Sequence, residues 1–421
     1  MFPLILLYLV LTIVRPQEYV PALIGVPVLP VVLVLAFMAW LASASKTYAA
    51  PQFLILPVFL VVIMTSQVVN GWFGGAFRQL NQFGPTVIAF FVLAAACTNL
   101  RRLVISMAVM VLCTSVLAVH GILQAKTGVG WTGVLTGADG RIQYVGIFND
   151  PNDLGLLFVA NIPLSVFLSR HGGPLGRLFW LSCTALLLYG IKLTNSRGAM
   201  LAVLVVCGCY VWYRRGAMVA GVLGAIGLVG MKMLSSRMQD LDAGEESANG
   251  RVDAWYEGLH MFTSHPVFGV GAGNFTEYNP LTAHNSLVLV LAETGFVGYV
   301  LWLAFVCYSF WMMLSVLRFK PEPADDAEQL TAWRHEKPVA LTLLLTLCGL
   351  FAAAFFLSRS YMVVVYLIIA MVTGYYIGAR QRLPALRSFN LASQWWRWVP
   401  AAMGSIVGLF ALVAVLLKTV G

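Results

Sequence analysis

Long runs of apolar residues follow one another along almost the whole chain, separated by short polar connections. Thirteen such runs lie at about residues 2–14, 22–43, 52–70, 84–99, 103–124, 153–169, 178–193, 198–213, 217–234, 284–317, 338–357, 361–378 and 399–418. A helix that crosses the hydrocarbon layer needs about 20 mostly apolar residues and satisfies its backbone hydrogen bonds internally. The pattern predicts an all-α, polytopic transmembrane helix bundle with about 12 or 13 spans. The run at 2–14 is short enough for a signal-peptide core, but no cleavage site follows it, so we interpret it as membrane structure.

The longest polar interruption, residues 235–283, divides the chain into three parts. An N-terminal transmembrane bundle at 1–234 precedes it, and C-terminal transmembrane helices at 284–421 follow it. With the N-terminus placed in the cytoplasm, the interruption is a loop on the outer side of the membrane. The three parts are our predicted domains.

This outer loop contains a segment with helical periodicity. Apolar side chains recur at the i, i+3, i+4, i+7 spacing of an amphipathic helix, at Val252, Trp255, Tyr256, Leu259 and Phe262. We expect this helix to lie along the membrane face with Arg251, Asp253 and Glu257 on its polar side. The sequence GVGAGNF at 269–275 resembles a phosphate-binding loop, but no predicted strand precedes it, so we expect a flexible turn.

The composition supports the membrane assignment and argues against a nucleic-acid partner. Sixty per cent of the residues are hydrophobic, 10% are charged and the mean hydropathy is +0.84, which excludes an ordinary soluble globular protein. The predicted topology places 15 of the 26 basic residues inside and leaves the outer segments with equal numbers of basic and acidic residues. The net charge of +9 is therefore mainly a topology signal, and we expect no nucleic-acid partner.

Polar motifs stand at the outer mouths of several spans. In FNDPNDLG at 148–155, a cap at Asn149 or Asp150 precedes a helix that begins at Pro151. The free N–H groups of this helix start, with Asn152, are candidates for an anion or sugar contact; simple capping is an equal alternative. Asp150 and Asp153 are also candidates for a metal ion or a sugar hydroxyl, although two carboxylates alone are weak evidence.

Two arginines lie in very short connections between spans. Arg197 follows Asn195 and Ser196, and Arg359 stands between two serines. A charged side chain at membrane depth costs about 3 kcal/mol or more and usually faces a cavity or a partner. Both arginines are therefore candidates for substrate binding. The alternative is an arginine whose head group reaches the interface without a function.

His284 and Asn285 open the tenth apolar run. A histidine at a helix mouth is often a cap or an interfacial residue, but its near-neutral pKa also suits a general base. Glu293, nine residues on, falls about 13 Å further along the helix on the opposite face, so we expect it to support a neighbouring helix and not to pair with His284.

An outer site built from Arg197, Arg251 and His284 suits a pyrophosphate and an acceptor hydroxyl. Guanidinium groups bind phosphate oxygens in pairs and neutralise the charge that develops on a departing diphosphate. A neutral histidine would take the proton of the attacking hydroxyl. Such a reaction needs neither ATP, a metal ion nor another cofactor, since a lipid diphosphate is itself the activated leaving group.

The order of these motifs resembles the bacterial O-antigen ligase and polymerase superfamily. The resemblance covers residues 15–298 and rests on RPQE, FNDPNDLG, NSRG, RVDAW, HPVFGVGAGNF, HNS and ETGFVG. It implies a GT-C-type glycosyltransferase of the bacterial inner membrane that acts at the periplasmic face with inversion and without a metal. The donor would be a glycan linked to undecaprenyl diphosphate, as in O-antigen, lipopolysaccharide and exopolysaccharide synthesis.

The resemblance also implies roles for individual residues. Arg197 and Arg251 would bind the donor diphosphate, and His284 would be the catalytic residue that activates the acceptor. We add Asn152, Asn285 and Arg359 to the substrate-binding set. The acceptor, either another glycan or lipid A core, is left open, and with it the choice between ligase and polymerase.

Two functions of other classes compete with catalysis. A transporter or flippase of lipid-linked sugars would line a path through the bilayer with charged residues. A structural membrane scaffold would leave the outer polar motifs without a purpose. Because charge concentrates at the outer mouths, the sequence favours the enzyme.

Overall fold

The computed structural model describes residues 1–43, 46, 48–137, 139–234, 246–319 and 327–420. Within these ranges the chain forms α-helices joined by loops and short 3₁₀ turns, and it forms no β-strand. Residues 235–245 of the expected periplasmic loop lie outside the described residues. The predicted all-α class is confirmed.

The described residues form sixteen α-helices. They are α1 (Phe2–Ile13), α2 (Val28–Leu41), α3 (Gln52–Val69), α4 (Phe73–Ala96), α5 (Leu100–Thr127), α6 (Pro151–Leu168), α7 (Pro174–Thr194), α8 (Arg197–Arg215), α9 (Ala217–Leu234), α10 (Glu246–Ser264), α11 (Phe275–Tyr278), α12 (Ser286–Arg318), α13 (Ala327–Ala354), α14 (Val363–Arg382), α15 (Leu391–Gln394) and α16 (Trp398–Val420). Each of the thirteen apolar runs coincides with one of them.

Not all of these helices have the length of a span. Ten helices in the described ranges are long and apolar enough to cross a membrane. Three further apolar helices are shorter, at Phe2–Ile13, Val28–Leu41 and Ala217–Gly230. They account for the difference between ten spans and the predicted 12 or 13.

Polar residues gather at the two ends of the bundle. At one end, called the basic end, Arg382 donates to the Glu336 carboxylate and to the Thr98 carbonyl, and Lys46 and Arg102 line one cavity. The opposite end, called the site end, carries the loops at residues 14–19, 128–150, 265–285 and 355–362. The separation agrees with the charge pattern of the sequence. That the basic end faces the cytoplasm stays a prediction.

Helix α12 is broken near its start. Gly295 has a φ of 61° and a ψ of −162°, so the backbone leaves the helix for one residue, directly after Glu293 and Thr294. The preceding loop, residues 266–271, supplies partners for the backbone groups freed by the break. Phe296 N–H donates to the Pro266 carbonyl at 2.8 Å, and the Ala292 carbonyl accepts from Val270 N–H at 2.9 Å. An interrupted helix is tolerated at membrane depth only when its polar groups are satisfied in this way.

The glycines of this loop allow its close approach to α12. A Cβ on Gly295 would come within 2.5 Å of the Val267 carbonyl oxygen, and one on Gly269 would overlap the Glu293 carbonyl carbon. Both residues have positive φ. The segment at 269–275 contains turns, as expected, and its residues Gly269, Val270 and Gly271 pack against the helix break.

Gly269→Ala is therefore expected to lower the free energy of unfolding by about 2 to 4 kcal/mol, because the new methyl group meets backbone and the residue keeps φ of +68°. Gly208→Ala in α8 is the matched control, since nothing lies within 4 Å of its added Cβ. Denaturant titration of both purified variants in one detergent measures the difference. Equal stabilities would show that the approach is not tight.

Helix α10 is the predicted amphipathic helix, with two differences from expectation. Val252, Trp255 and Leu259 are buried, and a Cβ on Gly258 would come within 2.5 Å of a Val288 methyl on α12. Tyr256, expected on the apolar face, is 49% exposed. The other difference concerns Arg251, expected on the polar side, which is half-buried in a cavity.

Candidate functional site

Five short segments meet at the site end. They are the start of α6, the α7–α8 connection, the start of α10, the residues before α12 and the α13–α14 connection. Each of them is either a helix terminus or a connection of a few residues. Helix packing therefore brings together polar groups that are far apart in sequence.

Asp150 caps α6 as the sequence predicts. Its Oδ1 accepts from the Asn152 backbone N–H at 2.7 Å and from the Asn152 side-chain amide at 2.9 Å. The cap fixes the orientation of Asn152. The remaining amide atom, Oδ1 of Asn152, accepts from Nη2 of Arg141 at 2.9 Å.

A cavity of about 100 Å³, called here the cationic cavity, contains three arginines. Arg141, Arg197 and Arg251 line it together with Asn152 and Asn195. Among the described residues that line it there is no carboxylate. The structure thus brings Arg197, Arg251 and Asn152 together, which the sequence motifs alone did not establish.

Local structure sets the position of Arg197. Asn195 ends α7 with a φ of 47°, in the left-handed region that asparagine tolerates, and turns the chain sharply. Ser196 then caps α8 by accepting from Ala199 N–H at 3.3 Å. Arg197 is the first residue of the new helix and lines the cavity from there.

Arg141 was not singled out by the sequence. It lies in the long connection between α5 and α6, and its Nε donates to the Thr194 carbonyl at 2.8 Å, across 53 positions of the chain. The available signal was a lone cation in a Gly-rich outer connection close to FNDPNDLG. That signal does not show which helix terminus the arginine contacts.

The residues before α12 are joined to the α13–α14 connection by hydrogen bonds. His284 N–H donates to Ser358 Oγ at 2.7 Å, and Ser286 Oγ donates to the Leu357 carbonyl at 2.6 Å. Ser360 Oγ donates to the Ser286 carbonyl at 2.7 Å. These bonds hold the backbone of His284 against the α13–α14 connection, which also contains Arg359.

Arg359 forms a paired contact with Asp153 of α6. Its Nε donates to Asp153 Oδ1 and its Nη2 donates to Oδ2 at 2.7 Å. The Asp153 side chain is 3% exposed and that of Arg359 is 33% exposed. Asp153 is therefore the buried partner of an arginine.

The same pair lines a second cavity of about 500 Å³, called here the mixed cavity. Its polar lining combines amide, carboxylate, hydroxyl and guanidinium groups, from Asn149, Asp150, Asp153, Ser358, Arg359 and Tyr361. Ile147 and Met362 add apolar surface. The mixed cavity differs from the cationic cavity in size and in charge.

His284 is half-buried, and charged groups that line both cavities shift the pKa of its imidazole. Burial lowers the pKa of its imidazole, and the Arg251 and Arg359 guanidinium groups lower it further, while the Asp150 carboxylate raises it. The pKa lies below its ordinary value, so the imidazole is neutral at neutral pH. A neutral ring is the form that a general base requires.

The remaining predicted residues occupy different positions. Asn285 is wholly buried, and its Oδ1 caps α12 by accepting from Leu287 N–H at 2.9 Å and Val288 N–H at 3.1 Å. It lines neither cavity, so its part in substrate binding stays a prediction. Glu293 is 2% exposed and accepts from Phe275 N–H at 3.3 Å, which holds the end of the Gly-rich loop.

Comparison with known families identifies the region that contains most of this site. Residues 182–303 match the family model described as O-antigen ligase. This match supports membership of the chain in the O-antigen ligase and polymerase superfamily. No curated protein matches the chain.

The superfamily match supports a ligase- or polymerase-type role in glycosyl transfer for a multi-pass membrane protein, with lipid-linked glycan and acceptor as partners. The O-antigen ligase region includes Arg197, Arg251 and His284. Residues 2–173 match a second family, described as one of unknown function, and this region includes Arg141 and Asn152. The cationic cavity is therefore built from both matched regions.

Proposed function

We propose that the protein transfers a glycan from undecaprenyl diphosphate to an acceptor hydroxyl at the periplasmic face of the bacterial inner membrane. The transfer inverts the anomeric carbon and uses no metal ion. One observation carries the proposal. Three arginines, Arg141, Arg197 and Arg251, converge on one cavity next to a half-buried histidine whose pKa is lowered.

The cationic cavity supplies the donor site in this proposal. Arg197 and Arg251 bind the diphosphate, and Arg141 adds a third guanidinium group held in place by Asn152. The bond between the anomeric carbon and the phosphate oxygen breaks, and the electron pair leaves with the diphosphate. Fixed guanidinium groups stabilise that developing charge better than water does, because they need no reorganisation.

His284 is the catalytic base in this proposal. Its neutral imidazole takes the proton of the acceptor hydroxyl while the hydroxyl oxygen attacks the anomeric carbon from the face opposite the diphosphate. Attack from that face inverts the configuration. Arg359 and Asn285 support the site through the contacts that hold the residues around His284.

The proposed partners are more specific than the lipid-linked glycan and acceptor that the superfamily match supports. The donor is a glycan on undecaprenyl diphosphate, and the acceptor is another lipid-linked glycan or lipid A core. The bilayer holds the donor lipid beside the site end. The reaction serves O-antigen, lipopolysaccharide or exopolysaccharide synthesis.

Release of free undecaprenyl diphosphate by the purified protein, given a glycan-linked donor and an acceptor, tests the proposal. Arg197→Gln and Arg251→Gln are each expected to lower kcat/KM by about 100-fold or more, since each removes a charge that stabilises the leaving group. Arg101→Gln is the matched control, because Arg101 is an exposed arginine at the start of α5. Normal turnover by both site variants would contradict the donor assignment.

Two further measurements separate this proposal from its alternatives. Activity is expected to persist in EDTA. Loss of activity in EDTA would instead support Asp150 and Asp153 as metal ligands. Movement of the lipid-linked glycan across proteoliposomes without release of undecaprenyl diphosphate would identify a transporter instead.

A further inference from the structure

We propose that the mixed cavity is the acceptor site, which binds a neutral, hydroxyl-rich sugar, and that the two substrates are sorted between the cavities by charge. This inference rests on the proposed function. It adds a site, and a substrate class for that site, made of residues other than the arginines assigned to the donor.

The charges of the two linings favour different ligands. The cationic cavity presents three guanidinium groups. The mixed cavity is lined by the Asp150 carboxylate and by the Asp153–Arg359 ion pair. A diphosphate is repelled by such a carboxylate, whereas sugar hydroxyls donate to carboxylates and accept from amide and guanidinium groups.

The volumes of the two cavities support the same assignment of donor and acceptor. The cationic cavity, at about 100 Å³, has room for a compact anion. The mixed cavity, at about 500 Å³, falls within the range of about 300 to 1,000 Å³ that is common for sites of small organic ligands. Ile147 and Met362 offer apolar surface to the C–H faces of a sugar ring.

The position of His284 connects the two cavities. Leu357 lines the cationic cavity and Ser358 lines the mixed cavity, so the α13–α14 connection runs between them. His284 is bonded through its backbone to Ser358. A base at this boundary takes the proton of a hydroxyl held in the mixed cavity while the new C–O bond forms toward the donor and the old C–O bond to phosphate breaks.

Asn149→Ala tests the acceptor assignment with the least risk to folding, because Asn149 is exposed at the rim of the mixed cavity. We expect its KM for the acceptor to rise about 10-fold, the loss of roughly one hydrogen bond in binding, with the KM for the donor unchanged. Asp150→Asn, which keeps a capping side chain, is expected to act in the same direction. Arg141→Gln is the opposite case and is expected to raise the KM for the donor alone.

A binding measurement makes the result independent of turnover. Saturation-transfer NMR with the protein and no donor would use two probes, lipid-free core oligosaccharide and the lipid-free repeat oligosaccharide of the strain that carries the gene. Binding of either probe, weakened by Asn149→Ala and unchanged by Arg197→Gln, supports the inference even if no undecaprenyl diphosphate is ever released; that second result would overturn the proposed function only. No binding of either probe, or weakening by Arg197→Gln and not by Asn149→Ala, overturns the inference.

Discussion

Replacing His284 by asparagine is expected to lower kcat by about 100- to 10,000-fold, the contribution typical of a general base. Asparagine is the better test than alanine because His284 has a φ of 46°, a conformation that asparagine tolerates. The backbone bond to Ser358 Oγ is also kept, since the N–H of residue 284 makes it. Release of undecaprenyl diphosphate in a single turnover measures the loss.

Thermal unfolding of the same preparation is the control for this variant. A melting temperature close to that of the wild type, with turnover reduced, assigns the loss to chemistry. Turnover near the wild-type rate in a well-folded preparation would show that another group takes the proton.

The pH dependence gives an independent measure of the same residue. Because the pKa of His284 is lowered, kcat/KM is expected to stay high from neutral pH down to below the ordinary histidine range and to fall as the ring gains its proton. The charged groups that act on it are Arg251 of α10, Asp150 before α6 and Arg359 of the α13–α14 connection. Asp150→Asn removes the carboxylate that raises the pKa of His284, so the acidic limb of the kcat/KM profile should move to lower pH. A limb that moves upward, or not at all, would contradict this account.

Arg359→Gln is expected to lower the free energy of unfolding by about 3 to 5 kcal/mol. The substitution leaves the buried Asp153 carboxylate without its guanidinium partner, and an uncompensated buried charge is costly. Asp153→Asn should cost less, because Arg359 is 33% exposed and retains water on one side. Denaturant unfolding in detergent measures both variants.

The double variant separates an ion pair from two unrelated effects. If the pair is the cause, the combination of Arg359→Gln and Asp153→Asn recovers part of the stability that Arg359→Gln alone loses. Arg359→Lys keeps the charge but loses the two parallel hydrogen bonds, and it should fall between the wild type and Arg359→Gln. Additive losses in the double variant would mean that the two side chains do not depend on each other.

The helices were predictable because the membrane imposes their length. Every apolar run of the sequence coincides with a helix, and the runs that form shorter helices include residues 2–14, which already looked short. The break at Gly295 was not predicted, because the apolar run at 284–317 continues on both sides of Glu293, Thr294 and Gly295. It depends on hydrogen bonds to a loop that packs against the helix, and such bonds leave no mark in the pattern of apolar residues.

The candidate site was predictable where a charge stood at a helix mouth. Arg197 and Arg251 were singled out in this way, and the structure brings both to the cationic cavity. Arg141 was missed because its position depends on Thr194, which is distant in the chain. The pairing of Arg359 with Asp153 spans 206 positions and follows from helix packing alone.

Two asparagines at helix starts have roles that their positions in the sequence do not distinguish. Asn285 and Asn152 both stand next to a helix start, and both residue types cap helices and bind sugars. In the structure, Asn285 is wholly buried as a cap, while Asn152 lines a cavity and is itself held by the cap at Asp150. Only the burial of each side chain separates the two cases.

The break in α12 has a consequence for how the site responds to its lipid surroundings. The loop that fills the break follows directly after α10, so Arg251 on α10 and His284 before α12 are attached to one rigid frame. Asn70 of α3 strengthens the frame by donating to the Gly269 carbonyl at 2.9 Å. A change in bilayer thickness tilts or shifts peripheral helices. We therefore expect the spacing between Arg251 and His284 to change little with bilayer thickness, and a thinner or thicker membrane to alter access to the site more than its internal geometry.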